Sequence, residues 1–269
     1  MMSDKIGIIG AGNMGTAIVR GLVAANVVPP GNITAIDIDE AKLRKLAADP
    51  GVNTTTNLEM LARASEIIIV AVKPQSMEEL VGELARHVTP SHLVVSIAAG
   101  ISTAFLEQRL PTETRVVRVM PNTPAMVRCG ATALCRGSQA TAEDMELATR
   151  LFSALGTAVI VDEELMDVVT ALSGSGPAYF FYVAEKLRNA AVEHGLPETV
   201  ADQLARQTLY GAGTLLRETG AAPEELRARV TSKGGTTAAA VAVFNAADLD
   251  EIIARAVGAA VTRSKELGL

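Results

Sequence analysis

At 269 residues the chain is long enough for two domains. Apolar residues make up 49% of it but aromatics only 3%, with no Trp; any core must be assembled from Ala, Val, Leu, Ile and Met, side chains small enough to let helices approach closely. A net charge of −6 speaks against a nucleic-acid partner, whose phosphates would call for a basic surface.

The start, Met-Met-Ser-Asp-Lys, passes straight into an apolar run, Ile6 to Ile9, with no signal-peptide pattern. The run meets Gly10-Ala11-Gly12-Asn13-Met14-Gly15. A helical pattern follows over 13–25, with Ile18, Leu22 and Val23 recurring at helical spacing. Strand, G-x-G-x-x-G and helix in that order form the dinucleotide fingerprint. Gly10 would allow the tight turn, Gly12 would let the backbone approach a pyrophosphate, and Gly15 would let helix and strand pack closely. The helix N-terminus would add free N–H groups and a positive dipole end. A second strand, 33–37, ends in Asp37, 22 residues after Gly15. Such folds place there an acid for the ribose 2′-hydroxyl.

A helix at about 39–48 comes next, with Asp39 or Asp37 as its cap. The pattern then predicts a short strand near Val52, a helix around 57–63, and a β-branched strand from Glu66 to Val72 that stops at Lys73-Pro74. A helix at 76–87 leads to a strand at 92–97, closed by Ala98-Ala99-Gly100; a helix from Ser102 to Arg109 leads to a strand, Arg115–Met120, ended by Pro121. This alternation predicts a doubly wound parallel sheet. Ligands of such sheets sit at the carboxyl ends of the strands, here Gly10–Gly15, Asp37, Ala71–Pro74, Ala98–Gly100 and Pro121–Pro124. Gly130–Cys135 and Ala158–Val161 read as further strands, with a helix at 141–154 between them.

After Asp162 no segment reads convincingly as a strand. The expected division is therefore a dinucleotide-binding domain, 1–162, and an all-helical domain, 163–269. Its helices are Glu164–Leu172, Pro177–His194, Pro197–Thr219, Pro223–Val230, one from Thr236 to about Asn245, and 249–267. The last has Asp248 as cap and Glu251 three residues on, a capping-box-like start. Tyr179-Phe180-Phe181-Tyr182 points aromatics all round one helix. A helix apolar on every side is buried on every side, which predicts mating with a second copy of the chain.

Two cysteines, Cys129 and Cys135, make neither a disulfide framework nor a metal quartet, and read as buried free thiols. His87, His92 and His194 lack metal-ligand spacing and read as surface or packing residues. The apolar run Ile67–Val72 is too short to span a bilayer. A cytoplasmic, soluble, metal-free protein is expected, with no membrane or nucleic-acid partner.

The helical half carries two loops of interest. Ser173-Gly174-Ser175-Gly176-Pro177 opens one helix and Thr231-Ser232-Lys233-Gly234-Gly235-Thr236-Thr237 opens another. Both join hydroxyls and glycines to the free N–H groups of a helix start, which suits a small carboxylate. Alone, either is an ordinary link or cap; two in one domain beside a dinucleotide domain point to a carboxylate site.

With Ala171 to Tyr179, Val230 to Thr237, Arg118 to Pro124, Ala71 to Pro74 and the N-terminal glycines, the chain resembles pyrroline-5-carboxylate reductase along essentially its whole length. The resemblance implies reduction of 1-pyrroline-5-carboxylate to L-proline by NAD(P)H, the last step of proline synthesis. It implies an N-terminal Rossmann-type domain and a C-terminal helical domain that interlocks in a homodimer, often assembled further into rings. By the same resemblance Ile9, Gly10, Ala11, Gly12, Asn13 and Met14 would hold the cofactor phosphates. Asn57 would contact the adenosine side; Ala71, Val72, Lys73, Pro74 and Ala99 would line the dinucleotide; Met120 to Asn122 would lie near the nicotinamide. Ser232, Gly234, Gly235, Thr236 and Thr237 would bind the substrate carboxylate, Ser175 and its loop would close the site, and Thr237 would make the polar contact at the ring nitrogen. Many members carry Pro where this chain has Lys233, read here as pointing to solvent.

A cyclic imine bound in protonated form needs only a hydride, which suits a sequence without a credible catalytic dyad. Position of donor and acceptor would supply most of the rate. Asp37 favours NADH, whereas the resemblance, with Lys42 and Arg44 nearby, inclines to NADPH. A β-hydroxyacid dehydrogenase would also have a glycine loop and a helical second domain, but its lysine lies a turn beyond a glycine, and Lys186 is ten residues beyond Gly176. A non-catalytic NAD(P)-binding regulator would not need the carboxylate loops.

Overall fold

The computed structural model describes residues 4–268. Its first part alternates strands and helices: β1 (Ile6–Ile9), α1 (Asn13–Ala24), β2 (Ile33–Ile36), α2 (Glu40–Ala48), β3 (Asn53–Thr54), α3 (Leu58–Arg63), β4 (Ile67–Val70), α4 (Met77–Leu84), β5 (Leu93–Ser96), α5 (Thr103–Glu107) and β6 (Arg115–Met120). Then come β7 (Gly130–Arg136), α6 (Ala142–Ser153) and β8 (Gly156–Ile160). All strands join one sheet in the order β3-β2-β1-β4-β5-β6-β7-β8.

Local composition explains the strands. Ile67-Ile68-Ile69-Val70 is β-branched throughout, and branching at Cβ suits a pleated backbone packed on both faces. Its residues alternate between two cores: Ile67 and Ile69 pack with Ile18, Leu22, Ile33 and Phe152, whereas Ile68 and Val70 pack with Leu61, Met77, Val81 and Leu106. Helices thus cover both faces. Asp39 caps α2 by accepting from the Ala41 N–H at 2.9 Å, one of the two caps expected there.

One feature departs from an all-parallel sheet. β7 runs antiparallel to β6, with Arg118 opposite Cys135, and β8 returns parallel to β7. Only a short connection containing the turn Thr123–Val127 separates β6 from β7. That leaves no room for the crossover helix a parallel pair requires.

The remaining elements are helical: α7 (Met166–Val169), a wide π-type turn at Thr170–Gly174, α8 (Gly176–Glu193), α9 (Glu198–Thr219), α10 (Pro223–Arg229), α11 (Thr236–Ala246) and α12 (Leu249–Leu267). The helix expected over Glu164–Leu172 is therefore a 3₁₀ turn, one α-turn and the wide turn in succession. The capping box expected at Asp248 does not form its usual geometry. Asp248 has φ +55, left-handed rather than extended, because α12 follows α11 across a two-residue turn.

The chain packs as two compact units: residues up to Ser175 with those from Ala260 on, and Gly176–Ala259. Packing divides it later than composition does, because Met166 is buried with Ala133 and Cys135 of β7. The end of α12 belongs to the first unit, where the Ser264 hydroxyl donates to Asp167 Oδ1 at 2.6 Å. In the second unit, α8 and α9 pair, and Asp202 bonds Arg206 at 2.7 Å. Phe180, Phe181 and Tyr182 of α8 are exposed in the single chain, a patch of the kind that marks an association surface. Among the described residues no helix is long and apolar enough to cross a membrane.

Candidate active site

All strands from β3 to β6 are parallel, so their carboxyl ends share one edge of the sheet. That edge gathers Gly10–Gly15, Asp37, Asn57, Ala71–Pro74, Ala99 and Asn122. The strand order reverses between β1 and β4, the switch point at which such sheets bind ligands.

The glycine turn is built for close approach. Gly10 has φ +103, and a Cβ there would lie 2.5 Å from the Ala71 carbonyl oxygen. A Cβ on Gly15 would lie 1.9 Å from the Gly10 carbonyl oxygen. Gly12 differs: its Cβ would meet nothing within 4 Å. Packing therefore accounts for Gly10 and Gly15 but not for Gly12. Gly12 is also the N-cap of α1, with no side chain capping the helix. Open space over an uncapped helix start is where a pyrophosphate fits.

Asp37 braces this turn. Its Oδ2 accepts from the Ala11 N–H at 2.6 Å and its Oδ1 from the Asp39 N–H at 2.8 Å, while Lys42 Nζ stands 3.5 Å from Oδ1. Asn57 caps α3, its Oδ1 accepting from the Met60 N–H at 3.0 Å. Ala71 donates its N–H to the Ile9 carbonyl at 2.7 Å, which seats Ala71 and Val72 beside Gly10. Lys73 and Ala99 are exposed at the same edge.

In the second unit, Gly234 has φ +74 and Gly235 is the uncapped N-cap of α11. The Gly235 N–H donates to the Ser232 carbonyl at 3.0 Å, closing the turn. The first N–H groups of α11, from Thr236 on, lie at its positive end. Among the described residues the Thr237 hydroxyl has no hydrogen-bond partner. Lys233 is exposed. Lys186, already at the wrong spacing for a β-hydroxyacid dehydrogenase, is paired with Glu185 at 2.7 Å and sits 4.6 Å from the Tyr182 ring centroid.

The sequence places Asn122 near the nicotinamide but says nothing of its partners, nor of a second cluster around Glu163. Asn122 is 8% exposed; its Nδ2 donates to the Ser173 carbonyl at 3.0 Å and its Oδ1 accepts from the Ala131 N–H at 2.9 Å. Glu163 accepts from the Thr103 N–H at 2.8 Å, from the Thr103 hydroxyl, and from Arg118 Nη1 at 2.9 Å. No local motif announces either, because the partners lie 45 to 60 residues apart for Glu163 and 51 for the Asn122–Ser173 bond.

Burial works against the Glu163 charge, but Thr103 and Arg118 outweigh it and hold the carboxyl below its usual range. Its contribution to stability is present above the ordinary carboxylate value and is lost as pH falls through the lowered one. Glu163→Ala strands Arg118, whose side chain is only 9% exposed. The expected cost at neutral pH is about 2–3 kcal/mol, below the range for a fully buried pair because Glu163 keeps some solvent. Urea denaturation measures it, and the gap from the parent should narrow in acid.

The two thiols differ. Cys129 is exposed, against expectation, because it follows the left-handed residue Arg128 on a surface turn. Cys135 is buried in β7, and burial, with Glu163 nearby, pushes its pKa up to about 12. Cys135 should therefore resist a thiol reagent until the protein is denatured; mass spectrometry before and after unfolding reads this. His92 is a packing residue as expected: Nδ1 accepts from the Thr89 N–H at 2.9 Å, which leaves Nε2 to donate to the Ala62 carbonyl at 3.1 Å.

Sheet, switch point and glycine turn together define a Rossmann-type dinucleotide-binding protein. Residues 163–267 match the family model for pyrroline-5-carboxylate reductase dimerisation, and residues 5–100 that for NADP oxidoreductase, coenzyme F420-dependent. The pyrroline-5-carboxylate reductase of Methanosarcina acetivorans is 44% identical over 268 residues, 100% of this chain and 99% of that one. The solved pyrroline-5-carboxylate reductase of Coxiella burnetii superposes with a TM-score of 0.94 at 37% identity, all of both chains covered. That of Plasmodium falciparum, solved with NADP bound, gives 0.88 at 29%, again with full coverage of both. The chain belongs to the pyrroline-5-carboxylate reductase family, and residues 163–267 carry the dimerisation domain of that family.

Proposed function

We propose that this chain reduces the C=N bond of 1-pyrroline-5-carboxylate with NAD(P)H, giving L-proline, the last step of proline synthesis. The observation that carries the reading is the end-to-end likeness to the Methanosarcina enzyme at 44% identity. When bound, the dinucleotide supplies the hydride. Ile9 to Gly15 hold its phosphates, the Asn13 and Met14 end of α1 facing their charge. Asn57 takes the adenosine side, and Ala71 to Pro74 and Ala99 line the remainder.

Residues 163–269 serve as the substrate and dimerisation domain. The free N–H groups of Thr236 and Thr237 and the Ser232 hydroxyl bind the carboxylate beside the turn formed by Gly234 and Gly235, assisted by the helix dipole. The Thr237 hydroxyl contacts the ring nitrogen, and the Ser175 segment closes over the substrate. Because a protonated imine accepts hydride without a further proton, the protein stations no acid at the nitrogen. Its own contribution is orientation.

NADPH is the favoured donor. Asp37 is already engaged by two N–H groups and by Lys42, so it repels a 2′-phosphate less than an open aspartate would. We place the enzyme in the cytoplasm as dimers assembled into rings, a size that sedimentation measures. Adding pyrroline-5-carboxylate with NADPH or NADH and following nicotinamide absorbance tests the function and ranks the cofactors. Loss of absorbance with formation of proline is expected; a flat trace with both cofactors rejects the reading.

A further inference from the structure

We infer that Asn122 is a positioning residue that ties the Ser173–Ser175 segment to the cofactor-bearing edge of the sheet. This rests on the reading above that the Ser175 segment borders the substrate. The need for such a tie follows from the sequence. In a helix the Ser173 carbonyl would accept from the N–H four residues on, but that residue is Pro177, which has none. Asn122 fills the gap: its Nδ2 donates to the Ser173 carbonyl at 3.0 Å. Its Oδ1 is held at the same time by the Ala131 N–H at 2.9 Å. Both partners are backbone groups of fixed polarity, so the orientation of the amide follows from them.

Neighbouring contacts define the same joint. The wide turn closes with the Ser175 N–H donating to the Thr170 carbonyl at 2.8 Å, and the Ser173 hydroxyl donates to the Val169 carbonyl at 3.0 Å. A Cβ on Gly174 would lie 2.5 Å from Met120 Cε, so the turn rests directly on the last residue of β6. Wide turns of this kind recur at functional sites. Asn122 follows β6 by two residues and so stands on the edge that carries the glycine turn. With one N–H and the oxygen of its amide engaged inside the protein, it sets where the Ser173–Ser175 segment lies.

Asn122→Asp is the discriminating variant. It keeps the acceptor for the Ala131 N–H and removes the donor to the Ser173 carbonyl. Asn122→Ser, shorter and neutral, serves the same test if the introduced charge prevents folding. For whichever variant is folded by circular dichroism, kcat and KM for pyrroline-5-carboxylate are measured beside the Kd for NADPH, read by nicotinamide fluorescence. A fall in kcat/KM of about 10- to 100-fold is expected, with NADPH affinity within about twofold of the parent. Unchanged kinetics, or a loss explained by weakened NADPH binding, overturns the inference. Ser175→Ala in the same assay separates the premises: if it has no effect while the parent is active, the Ser175 reading fails, and if the parent itself is inactive, the functional reading fails.

Discussion

Gly12→Val leaves a folded protein that no longer binds NAD(P)H. A Cβ at this position meets nothing within 4 Å, and the backbone there is extended, with φ −69 and ψ −172, open to any residue. The folding cost is that of a poorer N-cap, about 1 kcal/mol. The cost to the cofactor is larger. A branched side chain fills the space over the uncapped start of α1, and two charge-assisted N–H bonds to phosphate are lost or stretched. At about 1.5 kcal/mol each, affinity falls about 100-fold or more. Fluorescence titration with NADPH, beside thermal melting, reads both effects. Gly15→Ala is the counterpart. Its Cβ would sit 1.9 Å from the Gly10 carbonyl oxygen, a backbone atom that cannot turn aside, and stability should fall by about 3 kcal/mol or more. If Gly12→Val binds NADPH normally, the glycine turn is an ordinary strand–helix link.

Thr237→Ala lowers kcat/KM for pyrroline-5-carboxylate by about 100-fold, the usual effect of removing one well-placed polar group. Among the described residues its hydroxyl has no partner to lose, so the melting temperature should move by no more than a few degrees. NADPH affinity should stay within about twofold, since the proposed contact is to the substrate. Steady-state kinetics in both substrates checks this. Normal kinetics removes Thr237 from the site.

How much of this was legible beforehand depended on the range of the interaction. The glycine turn, the β-branched run of β4 and the Asp39 cap rest on neighbours in sequence, and the structure forms all three. The reversal of β7 was not legible, because the residues of a strand carry no mark of its direction; the short link after β6 decides it. The exposure of Cys129 follows from a left-handed turn that only coordinates reveal. The spacing of Asp37 points to a ribose contact, yet its ties to Ala11 and Asp39 depend on the folded loop. Asn122 shows the limit most clearly. Pro177 announces an orphaned carbonyl at Ser173, but the donor that answers it is 51 residues upstream.

The most direct measurement uses NADPH in which both hydrogens at C4 of the nicotinamide are deuterium. The enzyme is incubated with this cofactor and pyrroline-5-carboxylate in ordinary water, and the proline formed is analysed by mass spectrometry. Proline bearing a single deuterium at C5 is the predicted result, since the hydride goes directly to the imine carbon. Proline without the label, or no proline at all, would contradict it.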